Sequence, residues 1–301
     1  MIPALSDDPA RRLGGIGFCA LGYSLFSIQD VLVKLLVTTY AVPQVLFFRS
    51  VIIVAIALAI GGRAGAHAIV HSRNKLALSL RAALMLVAWL SFYSAARHLG
   101  LAQLTTIYFA APIIVVALSV VILKEKVTPV RWACVLAGFG GVVLAADPRG
   151  GLETNPALWA LFAASCWALS VILVRLISRS ESTTNQMVVS NVLFTLACLV
   201  MLPFVWVMPD GRGLAMLAGL GLVGGLGQYF LYEGFRTAPA SAVAPIEYTG
   251  LVWAFLYGYV IWADVPTPQV VAGAFIIVAS SLVLIWRESL SVREQRALAE
   301  P

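Results

Sequence analysis

Two oppositely charged residues, Asp30 and Arg49, lie inside long apolar stretches of the chain. An ionisable side chain within a membrane span is costly unless it is paired or faces water, so each is a functional candidate. At 1.5 Å per helical residue, each lies about 10 Å from the end of its helix that meets the connection between the two helices. This equal depth on consecutive antiparallel helices predicts an ion pair, with Gln29 beside it. The pair would serve as a structural clamp, in binding a zwitterion, or in gating.

A third ionisable residue, Glu247, follows Pro245 by two positions and lies about a third of the way into a later apolar run, 241–262. It could attract a substrate ammonium or take up a proton, or it could be a hydrogen-bonded structural carboxyl. A proton-coupled cycle needs a titrating group, and Glu247 or Asp30 could serve, whereas facilitated diffusion needs neither.

Aromatic residues also lie inside apolar runs. Their rings offer apolar area and a face that attracts cations, although Trp and Tyr also form belts at membrane interfaces. Tyr93 and Tyr232 stand near the ends of runs and are interpreted as belt or packing residues. The deeper rings are candidates for lining a cavity: Trp89, Tyr108, Trp167, Tyr229 and Trp253.

The composition requires elements that carry these residues through a membrane. Of 301 residues, 61% are hydrophobic and 11% are charged, whereas a soluble domain is roughly 25% charged. Strands would need shorter, alternating segments, so the fold is predicted to be an all-α integral membrane protein. Runs between charged, proline and glycine breaks predict ten spans, at about 13–37, 43–61, 76–96, 101–123, 129–146, 156–177, 186–206, 213–233, 241–262 and 268–286.

The basic residues choose an orientation. With the N-terminus in the cytoplasm, outside segments hold only Lys34, Arg97, Arg149 and Arg212, and Arg49 lies within a span. All other lysines and arginines then lie inside, as the positive-inside rule requires. The prediction is a multi-pass inner-membrane protein with both termini cytoplasmic, the segments 1–12 and 287–301.

The chain matches itself without gaps at an offset of 139 residues. The shared offset predicts two related halves of five helices, at 13–146 and 156–286. The matches include Tyr93-x3-Arg97 over Tyr232-x3-Arg236, Ile107 over Ile246, Glu125 over Asp264, and Thr128-Pro129 over Thr267-Pro268.

Each half has an odd number of spans, so equivalent helices should cross the membrane in opposite directions. Lys124-Glu125-Lys126 is predicted inside, whereas its counterpart, Ala263-Asp264-Val265, is predicted outside and has no lysine. Inverted repeats of this kind place a substrate near the midplane between the halves, and rocking of the halves alternates access.

The chain resembles the drug/metabolite transporter superfamily, of the EamA type. The resemblance rests on residues 93–129, their second copy at 232–268, and the small-residue run Ala137-Gly138-Phe139-Gly140-Gly141. It implies transport of a small organic solute, with amino-acid export favoured and S-adenosylmethionine-like uptake as the alternative. The chain departs from the family pattern at Asp264, where a Glu is usual, and at Leu251, where a proline is expected.

The resemblance also implies that spans one, three, four, six, eight and nine line a central path. The predicted substrate-binding residues are then Trp89, Tyr108, Trp167, Gln228, Tyr229, Glu247 and Trp253.

Other classes of function find less support. The sequence has no GxxxxGK[ST] motif for an ATPase, and no span carries a histidine or a spaced acid pair for a membrane enzyme. A channel stays an alternative. We expect no enzyme activity, no cofactor, no metal site and no nucleic-acid partner, and a monomer would suffice because two halves supply both sides of a path.

Overall fold

The computed structural model describes residues 9–71, 75–123, 129–146, 154–177, 183–237, 246 and 249–299. Within these residues the regular elements are α-helices and no strand occurs, which confirms the predicted all-helical fold. The helices are α1 (Pro9–Leu36), α2 (Val42–His71), α3 (Lys75–Ala96), α4 (Leu101–Tyr108), α5 (Ala110–Leu123), α6 (Pro129–Ala146), α7 (Thr154–Ile177), α8 (Thr183–Val205), α9 (Gly211–Thr237), α10 (Thr249–Trp262) and α11 (Pro268–Ala299).

Several helices have the length and composition of membrane spans. In the described chain, five stretches are long and apolar enough to cross a membrane: Gly14–Leu36, Val42–Ile60, Leu76–Ala96, Thr183–Val205 and Gly211–Gly234. Large apolar side chains such as Phe204 and Leu76 are exposed on the outside of the bundle, as a lipid environment requires. The count of ten spans stays a prediction.

The predicted span 101–123 is divided in the structure. α4 ends at Tyr108, and Phe109 adopts φ −67° and ψ 4° before α5 begins at Ala110. Residue 112 is a proline, whose nitrogen cannot donate to the carbonyl of Tyr108 four positions earlier. The missing hydrogen bond explains the break, which a hydropathy run does not reveal.

Two other helix bounds differ from the prediction. α2 continues to His71, so residues 62–71 are helical where the predicted spans, 43–61 and 76–96, left a connection. They contain no proline and several alanines, which favour a helix. The helix α11 likewise continues past residue 286 to Ala299, into the segment that the sequence assigned to a tail.

The helices repeat with the offset found in the sequence. α5 and α10 both have 14 residues and begin 139 positions apart, and α6 and α11 begin at the equivalent prolines, Pro129 and Pro268. The packing also repeats when α1, α2 and α3 are replaced by their counterparts in the second half, α7, α8 and α9. The pair α1–α9 corresponds to the pair α3–α7, and the pair α2–α9 corresponds to the pair α3–α8. The pairs α2–α8 and α6–α11 are each their own counterpart.

Several connections meet at one end of the bundle, which we call the Tyr40 end: residues 37–41, 97–100, 206–210 and 263–267. Gln44 makes two hydrogen bonds to Val207, through Nε2 to the carbonyl (2.6 Å) and through Oε1 from the amide (2.9 Å). Arg97 Nη2 donates to the carbonyl of Tyr40 at 2.8 Å. These contacts fasten the start of α2 to the α8–α9 connection and to the end of α3.

Ala263 follows α10 at the Tyr40 end of the bundle and closes the last turn of that helix. Its φ of 51° is left-handed, which costs about 1–2 kcal/mol for a residue other than glycine. The amide of Asp264 donates to the carbonyl of Gly258 at 3.1 Å, a closure typical of helix C-termini. The turn brings the Asp264 carboxylate against Gly100, where a Cβ would collide with it.

Candidate functional site

A cavity of about 120 Å³ lies between α1, α2, α3, α4, α7, α8, α9 and α10. Both halves of the chain therefore contribute to its wall. Its aromatic lining residues are Tyr23, Phe26, Trp89, Phe92, Tyr108, Phe109, Trp167, Phe194 and Tyr232. Its polar lining residues are Ser27, Gln29, Asp30, Arg49, Thr105 and Gln228.

The rings on α3 and α4 support one another. The ring of Phe92 lies edge-on to that of Tyr108, with centroids 5.0 Å apart, and Trp89 meets Tyr93 edge-on at 5.4 Å. Edge-to-face contacts of this kind fix ring orientation and add to apolar burial. The break after Tyr108 turns the chain at the cavity wall, as interrupted helices do in many transporters.

Arg49 occupies the charged corner of the cavity and is only 1% exposed. Its Nε donates to Oε1 of Gln29 at 2.9 Å, and its guanidinium carbon lies 4.5 Å from the ring centre of Trp89. Asp30 also lines the cavity. The two predicted residues thus belong to one cavity, but the hydrogen bond of Arg49 runs to Gln29 and not to Asp30.

One donor in this corner has no hydrogen-bond partner among the residues that the structure describes. It is Nη1 of Arg49, which is buried. A buried donor without a partner costs about 1–3 kcal/mol, and more when the group is charged. The corner therefore has unused capacity to bind an acceptor.

Gly224 on α9 allows the close approach of Gln29 and Arg49 to that helix. A Cβ at this position would collide with Oε1 of Gln29 and lie 3.2 Å from Nε of Arg49. The absence of a side chain at Gly224 is therefore part of the geometry of the corner.

A second polar cluster lies farther along α9, around the hydroxyl of Tyr232. This oxygen accepts from Nη2 of Arg81 at 3.0 Å and from Nε2 of Gln228 at 3.3 Å. Nη1 of Arg81 donates to Oε1 of Gln186 at 3.0 Å, and Nδ2 of Asn191 approaches Oε1 of Gln228 at 3.5 Å. The cluster joins α3 of the first half to α8 and α9 of the second.

The structure separates the residues predicted to bind substrate. Trp89, Tyr108, Trp167 and Gln228 lie on the cavity wall, with Asp30 and Arg49. Glu247 lies outside the described residues.

The remaining two predicted residues lie away from the lining. Tyr229 packs against the cluster of Ile53 and Met187. Trp253 stacks on Tyr257, with ring centroids 5.6 Å apart.

Sequence reasoning missed the part played by Tyr232, which it assigned to belt or packing. A signal was present: Gly224, Gln228 and Tyr232 are spaced four residues apart, so they share one face of a helix. Given Gln228 on the wall, the same spacing places Gly224 and Tyr232 on the face towards the cavity.

The chain matches the EamA-like transporter family twice, over residues 13–146 and over residues 154–286. The S-adenosylmethionine uptake transporter of Rickettsia prowazekii is 28% identical over 288 residues, covering 96% of this chain and 98% of that protein. The pseudopaline exporter of Pseudomonas aeruginosa is 26% identical over 276 residues, covering 90% and 95%.

Two further matches are informative. The riboflavin transporter of Vibrio cholerae is 29% identical over 178 residues, covering 59% of this chain and 60% of that protein. A protein of known crystal structure superposes with a TM-score of 0.62 at 18% identity, covering 91% of this chain and 96% of that one. At that identity the superposition shows the fold alone.

Proposed function

This chain belongs to the EamA-like transporter family, and from that premise we propose that it is a secondary carrier for a zwitterionic metabolite. The family and the named relatives make it a membrane transporter of small metabolites and not an enzyme, as the sequence predicted. The finer proposal concerns the class of solute, the route and the mechanism.

The observation that carries the proposal is a cavity whose lining combines an arginine, an aspartate and aromatic rings. Arg49 and Asp30 both line it, among rings that include Trp89, Tyr108 and Trp167. Guanidinium groups bind carboxylates, while carboxylates and ring faces attract ammonium or sulfonium groups. An α-amino-acid head group carries both charges at short range, so it matches this arrangement.

S-adenosylmethionine is the first candidate within this class. It joins an amino-acid head group to a sulfonium and a purine ring, and the aromatic wall suits both of the latter. The 28% identical relative named for its uptake spans nearly the whole chain. The sequence alone favoured amino acids and export, and a relative named as an exporter supports testing both directions.

We further propose ten spans arranged as two inverted repeats, with bounds near 13–146 and 156–286. The chain matches the family twice, once in each half. The helices α5 and α10 have equal lengths and are separated by the offset of the sequence repeat. The most extensive helix pairs correspond when the halves are exchanged, and the cavity is lined by both halves. This arrangement supports rocking of the halves about a central site, with both termini in the cytoplasm.

Counterflow into liposomes tests the carrier. Purified protein is reconstituted with unlabelled S-adenosylmethionine inside, and uptake of labelled S-adenosylmethionine is followed with and without a pH gradient. A carrier gives saturable uptake that internal substrate accelerates, and reversal of the gradients measures export. Uptake that rises linearly with concentration and ignores internal substrate would indicate a channel and contradict the proposal.

A pair of tryptophan variants locates the route. Trp89→Phe alters the ring beneath Arg49, and we expect KM to rise about 3- to 10-fold from loss of cation–π contact and area. Trp132→Phe changes a ring on α6 that is exposed outside the bundle, and we expect no effect. Equal effects of both variants would argue against the central cavity as the route.

A further inference from the structure

We propose that Arg49 receives the carboxylate of the transported metabolite, and that Gln29 and Gly224 preset its orientation. The inference rests on the proposed function, because it assigns a group within the same cavity to one part of the substrate. The sequence left open whether Arg49 binds substrate or acts as a structural clamp, and the proposal assigns it a carboxylate site.

The hydrogen-bond inventory of Arg49 is incomplete. A guanidinium carries five N–H donors on three nitrogens. In the described structure one nitrogen, Nε, donates to Gln29, while Nη1 is buried without a partner. A carboxylate can accept two parallel hydrogen bonds from one guanidinium, which matches the need of this side chain.

The plane of the guanidinium is held in advance of binding. Trp89 lies beneath it at 4.5 Å, and Gln29 fixes Nε from the side at 2.9 Å. A planar fork that is already oriented loses less conformational entropy when it binds a carboxylate. Gln29 is therefore a positioning residue, since it acts through Arg49.

Gly224 is the second positioning residue. Any Cβ there would push Oε1 of Gln29 and crowd Nε of Arg49. Helix α9 belongs to the half opposite to Gln29 and Arg49, so the orientation of the guanidinium depends on how closely the halves approach. Carboxylate affinity is thereby coupled to the relative position of α1, α2 and α9.

Asp30 also lines the cavity, and in its ionised form it is a countercharge for Arg49 and an attraction for the substrate cation. If Arg49 only neutralised Asp30, removing the carboxylate from a ligand would leave its affinity unchanged or raise it. If Arg49 binds the carboxylate, removal of that group leaves the guanidinium without an acceptor and weakens binding. Only the second assignment predicts that loss of the ligand carboxylate weakens binding.

The experiment compares each acid with its own decarboxylated amine. The probes are S-adenosylmethionine and decarboxylated S-adenosylmethionine, and phenylalanine and phenethylamine. Titration calorimetry on the full chain in lipid nanodiscs gives the two dissociation constants of each pair. We expect the acid of a bound pair to bind about 10- to 100-fold more tightly, as a charged hydrogen-bonded contact would give.

Variants then assign the preference to a residue. Arg49→Lys retains the charge but loses the planar fork, and we expect the acid-to-amine preference to fall several-fold. Gly224→Ala should lower it in the same direction by displacing Gln29. Gly219→Ala is the matched control, because a Cβ at that position of α9 meets nothing within 4 Å. Amine affinity reports in every variant whether the cavity is intact.

Each outcome has one meaning. A preference that Arg49→Lys and Gly224→Ala reduce, with amine affinity unchanged, supports the inference. Equal affinity for acid and amine, or a preference that Arg49→Lys leaves intact, overturns it while the carrier assignment stands. Failure of every probe to bind overturns the zwitterion proposal together with this inference.

Discussion

Arg49 and Arg81 are both buried arginines in apolar helices, yet their surroundings differ in kind. Arg49 is 1% exposed and lies over Trp89, while Arg81 is 5% exposed with its guanidinium carbon 5.9 Å from the ring centre of Tyr232. Each retains one buried nitrogen without a hydrogen-bond partner among the described residues, Nη1 in the first and Nε in the second.

The difference is in what each arginine faces. Arg49 lines the cavity, and its hydrogen-bond partner Gln29 is 20 residues away in the same half. Arg81 is absent from the lining, and its partners Gln186 and Tyr232 belong to the other half. Burial of a charge therefore does not by itself indicate a ligand site: the first arginine is placed to bind, and the second to join the halves.

Replacement of Arg49 should have the largest effect. For Arg49→Met we expect the initial transport rate to fall about 100-fold or more, measured as uptake of labelled S-adenosylmethionine into liposomes. Stability should also fall by about 1–3 kcal/mol, because the half-buried Asp30 loses its countercharge. Thermal unfolding in detergent measures the second effect.

A double variant separates these two effects of Arg49. Adding Asp30→Asn to Arg49→Met removes the unpaired charge, so the melting temperature should recover while transport stays lost. Recovery of transport in the double variant would show that the arginine serves Asp30 alone.

Replacement of Arg81 should affect stability first. Arg81→Met loses charged hydrogen bonds to Gln186 and Tyr232, so we expect the free energy of unfolding to fall by about 3 kcal/mol. The dissociation constant for S-adenosylmethionine should change less than about 3-fold, since the side chain does not line the cavity. A loss of acid-to-amine preference as large as that of Arg49→Lys would remove the distinction between the two arginines.

Tyr232→Phe should have an intermediate effect, because the residue belongs to both environments. Its hydroxyl accepts from Arg81 and Gln228, and its ring lines the cavity. We expect a loss of about 1–2 kcal/mol in unfolding free energy and a rise in KM of about 3-fold. Tyr259→Phe, exposed on α10, is the control. An unchanged melting temperature for Tyr232→Phe would contradict the assigned role of its hydroxyl.

Gln186→Met should have the smallest effect. It removes one hydrogen bond of Arg81 while keeping a long side chain, so we expect about 1 kcal/mol of destabilisation. Transport kinetics should match those of the unchanged protein. A change in KM larger than that of Tyr232→Phe would place the functional part of this cluster on α8.

Hydropathy and charge predicted the helical fold, and the cost of a buried charge singled out Asp30 and Arg49. These inferences succeed because a membrane imposes strong, local requirements on each segment. The break at Phe109 required a finer argument, since a proline at position 112 interrupts one hydrogen bond without changing the hydropathy of the run.

The helix faces could not be predicted as well. Gln228 lines the cavity, whereas Tyr229, one residue later and about 100° around the helix, packs against Ile53 and Met187. In a soluble helix the polar side would show which face is exposed, but lipid and core are both apolar. The sequence therefore selects the helix more readily than the direction in which a given ring points, as Trp253 also illustrates.

The two hydrogen bonds between Gln44 and Val207 have a consequence for the newly made chain. Its two ends are 163 residues apart, and at about 5–20 residues per second roughly 8–30 s separate their synthesis. During that interval the amide of Gln44, fully buried in the finished protein, has no access to its eventual partner. The nascent first half must keep this end of α2 hydrated or otherwise bonded until α8 and α9 arrive, which makes this junction a late step of biogenesis.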